Sequence, residues 1–231
     1  MARTTKVDNA LLKRLARTEE KRRTEFRTKR KYYLIVCEGE KTEPLYFEGM
    51  KKDLPKGVLD STTIDIDGTG TNTLWIIEEA LRIASLSERK YDQIWAVFDR
   101  DSFPASNFNN AISKVRDKNV HCAWSNEAFE LWYLLHFNYH DTGISRVEYG
   151  HLIERELTDR LGRRFEYRKN SKEMYEILKT HGNMDQAIKW AKKLDYSYRS
   201  RTDYANQNPC TKVYKLVQEL CKLADESSCK G

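Results

Sequence analysis

The chain has 231 residues, 39% of them hydrophobic, and a formal net charge of +6 at pH 7, enough apolar material for one good core with at most a small appended lobe. No apolar run approaches the roughly 20 residues that cross a bilayer, and five cysteines without a CxxC pair support neither a disulfide framework nor a zinc ribbon. A membrane span and a disulfide-stapled exported scaffold are therefore excluded, and the reducing cytoplasm is the expected setting.

The charge is uneven: residues 1–31 carry net +8 and the other 200 net −2. Residues 1–30 are expected to form a basic arm or leading helix. Arg22, Arg23, Arg27, Lys29 and Arg30 are its candidates for tracking a phosphate backbone, the alternative being a solvated helix that docks on a partner. Tyr32 to Cys37 is a nearly continuous apolar run ended by Glu38-Gly39, the pattern of a buried strand and a turn. A helix is expected near Pro44, then a strand over Ser61 to Asp67 that ends in Gly68-Thr69-Gly70. Asn72 or Thr73 can cap a helix from Leu74 to Ser87, where Leu74, Ile77, Leu81 and Ala84 recur at helical spacing. Gln93 to Phe98 reads as a third buried strand, stopping at Asp99.

A helix over Phe108 to Lys118 and a strand over Val120 to Trp124 continue the alternation, which predicts an α/β core with a mostly parallel sheet flanked by helices. Beyond Ser125 the pattern turns helical, through AFELWYLLHF, RVEYGHLIERELTDRLG, SKEMYEILKTHGNMDQAIKWAKKL and NPCTKVYKLVQELCKLADE. In the last segment Asn208 reads as a cap and Pro209 as the first helical residue. The expected organisation is an arm over 1–30, an α/β domain over 31–125, and a helical portion over 126–231 that packs on or completes that domain.

Ligands of open parallel sheets gather at the carboxyl ends of strands, and three expected strands end there in polar turns. Carboxylates held beside an apolar core need partners. Glu38, Asp99 and Asp101 together make an all-oxygen set suited to Mg²⁺ or Mn²⁺ and not to zinc. Phosphoryl transfer is the chemistry such sites serve.

LIVCEGEKTEPLYF and WAVFDRDSF resemble the Glu-Gly and Asp-x-Asp motifs of Toprim domains, found in topoisomerases, bacterial primases and OLD-type nucleases. With SNEAFELWYLLHF and NPCTKVYKLV, the longer pattern from Arg30 to Leu220 resembles the RloB-like proteins, a Toprim branch associated with phage defence. The resemblance implies a Toprim fold, a nuclease activity, and metal-binding, catalytic roles for Glu38, Asp99 and Asp101. By analogy with OLD nucleases it makes Glu43 and Glu130 candidate ligands of a second metal. It also implies a separate AAA- or ABC-type ATPase subunit, and the chain has no GK[ST] phosphate loop of its own. RloB-like chains often carry proline where this one has Glu127, so either the turn before Phe129 differs or a further carboxylate enters the site.

Other features have two readings each. Gly68, Gly70, Asn72 and Thr73 form a phosphate-binding turn or a structural one. His136 is a hydrogen-bonded core histidine or a proton shuttle. Arg199 and Arg201, set among Tyr196, Tyr198 and Tyr204, contact nucleic acid or sit in a solvated loop. Function is expected to be metal-dependent cleavage of RNA or DNA, with a non-catalytic nucleic-acid or nucleotide-binding module, or a scaffold of an ATPase complex, as the alternatives.

Overall fold

Five strands form a single sheet in the order β2-β1-β3-β4-β5, in a computed structural model that describes residues 30–70, 75–100, 104–115, 119–199 and 201–228. Strands β1 (Lys31–Cys37), β2 (Thr62–Gly68), β3 (Gln93–Asp99) and β4 (His121–Asn126) are parallel, and β5 (Cys210–Thr211) runs antiparallel to β4. Parallel strands connected through helices are buried on both faces, which is why the runs ending at Cys37 and Phe98 are apolar without alternation.

Side-chain direction nevertheless alternates along each strand and sorts the core in two. Tyr33, Ile35, Cys37, Trp95, Val97 and Ala123 point to one side. There they meet helices α1 (Thr42–Asp53), α2 (Lys56–Ser61), α5 (Glu130–Leu134), α6 (Arg146–Leu161), α7 (Met174–His181), α8 (Met184–Tyr198) and α9 (Val213–Ser228). Leu34, Val36, Ile94, Ala96, Phe98 and Trp124 point to the other, against α3 (Ile76–Leu86) and α4 (Ala105–Lys114). The described residues from Lys31 onward form one compact unit. No helix among the described residues is long and apolar enough to cross a membrane.

The helix Lys56–Ser61 has no counterpart in the sequence reading, and the helix expected over Phe108 to Lys118 spans Ala105–Lys114; three further details differ. Asp99 is the last residue of β3 and not the first after it. The helical run over 174–194 is two helices, because Asn183 caps a new one by accepting from the Gln186 N–H at 2.9 Å. Asn208 and Pro209 do not open a helix: they precede β5, and α9 begins only at Val213. Strand pairing overrides the cap signal there. Lys212 N–H donates to the Trp124 carbonyl at 2.7 Å, and the Ser125 and Thr211 hydroxyls bond at 3.0 Å.

A candidate metal site at the carboxyl edge of the sheet

The backbone pairing of β1 with β3 extends one residue past the strand, Glu38 N–H donating to the Val97 carbonyl at 2.8 Å. Glu38 thereby emerges beside the end of β3, and its Oε2 accepts the Asp99 N–H at 3.1 Å. Asp99 continues the alternation of Trp95 and Val97, so its carboxylate lies on the face covered by α5 and α6. Asp99 Oδ2 accepts from the Phe129 N–H at 3.1 Å and from Arg146 Nη2 at 3.0 Å. Arg146 is the first residue of α6, whose start is set by a capping box between Ser145 and Glu148. A cation at a helix N-terminus is unfavourable, and two carboxylates offset it here: Asp99, and Glu130 at 3.7 Å from Arg146 Nε. Tyr167 OH in turn donates to Glu130 Oε1 at 3.1 Å.

Glu43 arrives from the first turn of α1 and is 6% exposed. Its carboxylate folds back over the Glu-Gly turn, where a Cβ on Gly39 would collide with Glu43 Oε2. A side chain at 39 would have to displace the Glu43 carboxylate from this position. Thr42 Oγ1 donates to Asn170 Oδ1 at 2.9 Å, which ties the start of α1 to the segment bearing Lys169.

The charges act on one another. Burial, then Glu43, Glu130 and Glu38, push the Asp99 carboxyl well above its ordinary value, against Arg146, which lowers it. Burial first, then Glu130 and Glu38, raise Glu43 from 4.5 to about 7, against a backbone hydrogen bond and Lys169. Glu38, Glu43, Asp99 and Glu130 thus share one field at the carboxyl edge, with Arg146 and Lys169 as cations that act on it.

All these donors are oxygens, the chemistry that holds a hard divalent cation, and the crowding of negative charge is the kind such a cation relieves. The donor set fits Mg²⁺ or Mn²⁺ in kind. Among the described residues, however, no three His, Cys, Asp or Glu side chains come together in ligating geometry, and Asp101 lies outside them.

Residues 33–220 match the family described as RloB-like protein. The chain belongs to the RloB-like family. No curated protein and no solved structure matches it. The matched stretch runs from β1 into α9 and includes every residue of the carboxylate cluster.

In this RloB-like chain the remaining candidates fall elsewhere. A Cβ on Gly68 would lie 2.8 Å from Pro44 Cγ and 2.9 Å from the Gly39 and Glu40 carbonyl oxygens. Gly70 has φ +61° and would place a Cβ 2.7 Å from Glu40 Oε1. The space at both glycines is filled by the Glu-Gly turn itself; Asn72 and Thr73 lie outside the described residues, as do Arg22, Arg23, Arg27 and Lys29. Arg30 is exposed. Arg199 and Arg201 are exposed beyond the end of α8, and Arg201 acts electrostatically on Tyr198. The segment after them is packed: Tyr204 meets Trp124 edge to face at 6.0 Å, and Ala205 N–H donates to Asn109. His136 is buried with Nδ1 bonded to the Trp132 carbonyl at 2.9 Å, and burial lowers it to about 4, so it is a core histidine neutral at pH 7. Glu127 acts on Tyr149 and is not among the charges that shift Asp99 or Glu43. Arg146, Tyr167 and Lys169 are the residues the sequence reading missed. The Ser-x-x-Glu box was the signal that could have put Arg146 at a helix start.

Proposed function

We propose that this RloB-like protein is a divalent-metal-dependent phosphodiesterase acting on RNA or DNA, the effector subunit of a phage-defence system that works with a separate AAA- or ABC-type ATPase. One observation carries the activity: buried carboxylates converge where parallel strands end, and burial first, then their mutual repulsion, raises Asp99 and brings Glu43 to about 7. The Glu-Gly turn follows β1 and Asp99 ends β3, and these are residues on which the Toprim resemblance rests, which supports the same reading. The defence role, the cytoplasmic setting and the ATPase partner rest on the RloB-like pattern and on the lack of a phosphate loop in the chain.

Glu38, Asp99 and Asp101 would hold Mg²⁺ or Mn²⁺, with Glu43 and Glu130 extending the donor set. Such an ion neutralises a phosphate and activates water when bound. The protein's own part is orientation and proton handling. The Phe129 N–H and Arg146 fix the Asp99 carboxylate, and the Asp99 N–H fixes that of Glu38. A carboxyl near 7 at Glu43 is matched to taking or giving a proton at neutral pH.

The second reading, a non-catalytic binding module, is favoured by the engagement of Asp99 and Glu130 with Arg146. Incubation with labelled tRNA, single-stranded DNA and plasmid, in Mg²⁺, Mn²⁺ and EDTA, separates the two. Cleavage that needs the metal and disappears in Asp99→Asn is the expected result. Tight binding of any of these with every substrate left intact would establish the module instead.

A further inference from the structure

The carboxylate centre opens on one side into a recess of about 250 Å³ whose lining includes Glu130, Arg146, Val147, Gly150, Tyr167 and Lys169. Its two faces differ in chemistry. Arg146 and Lys169 bring positive charge to the side that adjoins the carboxylates. The wall away from them carries Val147, 67% exposed, and the Tyr167 ring packed on Gly150, where a Cβ would lie 3.3 Å from it, beside the His151–Glu154 pair, 3.5 Å apart. A bulky, exposed valine at the second position of a helix, beside an aromatic ring seated on a glycine, is what the apolar part of a ligand would use.

We infer that this recess takes the single unpaired nucleotide next to the phosphate held at the carboxylate centre, its base or sugar on Val147, Gly150 and Tyr167 and its own phosphate on Lys169. The inference rests on the phosphodiesterase reading for the identity of the ligand. The size is decisive for substrate class. The recess lies below the roughly 300–1,000 Å³ of sites that enclose drug-sized ligands, so it admits no more than a base or a sugar, and a base enters it only when out of the duplex stack. Single-stranded or looped nucleic acid is therefore the substrate, and intact duplex is not.

The test changes charge at Val147, which is exposed and outside the catalytic set. Glu at the second position of a helix suits its dipole, so Val147→Glu should fold, as a thermal melt will verify. Binding of a fluorescein-labelled 12-nucleotide single strand is followed by anisotropy in Ca²⁺ and in EDTA for wild type, Val147→Glu and Val147→Lys. Leu86→Glu, 71% exposed on the helix that packs on the other sheet face, is the control. Val147→Glu should weaken single-strand binding about tenfold or more through like charge in the recess, Val147→Lys should tighten it, and Leu86→Glu should do neither. Hydrolysis of bis(p-nitrophenyl) phosphate, too small to need the recess, is followed in wild type and should be unchanged in Leu86→Glu. Equal single-strand affinity in wild type and both Val147 variants, or equal losses from Leu86→Glu and Val147→Glu, overturns the recess. A wild type that hydrolyses neither diester nor oligonucleotide rejects the phosphodiesterase reading, while the anisotropy comparison still decides the recess.

Discussion

Glu43→Gln tests the electrostatics on which the site reading rests. Glu43 is 6% exposed, and burial with Glu130 and Glu38 raises its carboxyl from an ordinary 4.5 to about 7. A carboxyl raised in the folded state binds more protons folded than unfolded between those values, so stability falls as pH rises through that window and levels above it. A shift from 4.5 to about 7, at about 1.4 kcal/mol per unit, gives roughly 3 kcal/mol lost between pH 4.5 and 8 from this residue. Asp99, also raised, adds in the same direction. The glutamine keeps the shape over Gly39 and removes the charge. In EDTA the variant and wild type should therefore keep a constant offset below pH 4.5 and diverge above it, the variant gaining about 3 kcal/mol by pH 8. For a chain of this size that corresponds to about 6–12 °C in Tm. Melts followed by circular dichroism from pH 4 to 8.5 give the profile directly, and Mg²⁺ should restore part of the loss in wild type and less in the variant. Stability curves that run parallel over the whole range would refute the reasoning, because Glu43 would then ionise alike folded and unfolded.

Arg146→Met removes the cation that bonds Asp99 at 3.0 Å and lies 3.7 Å from Glu130. Breaking a buried pair on one side costs about 3–5 kcal/mol, so the metal-free melting temperature at pH 7.5 should drop by several degrees and Mn²⁺ affinity, read by calorimetry, should rise. Unchanged values of both would remove Arg146 from the charge balance. Asp99→Ala should abolish metal-dependent cleavage and also destabilise the metal-free protein by about 2–3 kcal/mol, since the Phe129 N–H and Arg146 lose their acceptor; denaturant unfolding with no loss of stability would contradict this. Glu38→Gln retains an oxygen for the Asp99 N–H and should lower single-turnover cleavage by about 10²-fold with far less effect on affinity. Equal rates would take Glu38 out of the mechanism. Deleting residues 1–29 should weaken binding and flatten its dependence on salt, and an unchanged slope would assign the arm to partner docking.

Much of this was legible in the sequence because strands buried on both faces leave continuous apolar runs that neither exposed strands nor loops produce. Those runs gave the parallel α/β core, and their ends gave Glu38 and Asp99 as neighbours on one edge. The effect of removing Asp99 was not legible: mutual repulsion alone argues that Asp99→Ala leaves stability intact, and the opposite follows once its two donors are known. β5 escaped too, because a two-residue strand carries no periodicity and Asn208-Pro209 mimics a helix start. Arg146 is 47 residues from Asp99, and Tyr167 is 37 from Glu130. Nothing local marks such pairs, since a charge signals its partner only once burial lowers the dielectric around both. The chain's local patterns determined which elements form and where each carboxylate leaves its strand or helix. Packing α5 and α6 over that edge decided which cation meets them, what Glu43 titrates near, and where a recess is left, because distance and desolvation, on which every one of these depends, exist only in the folded state.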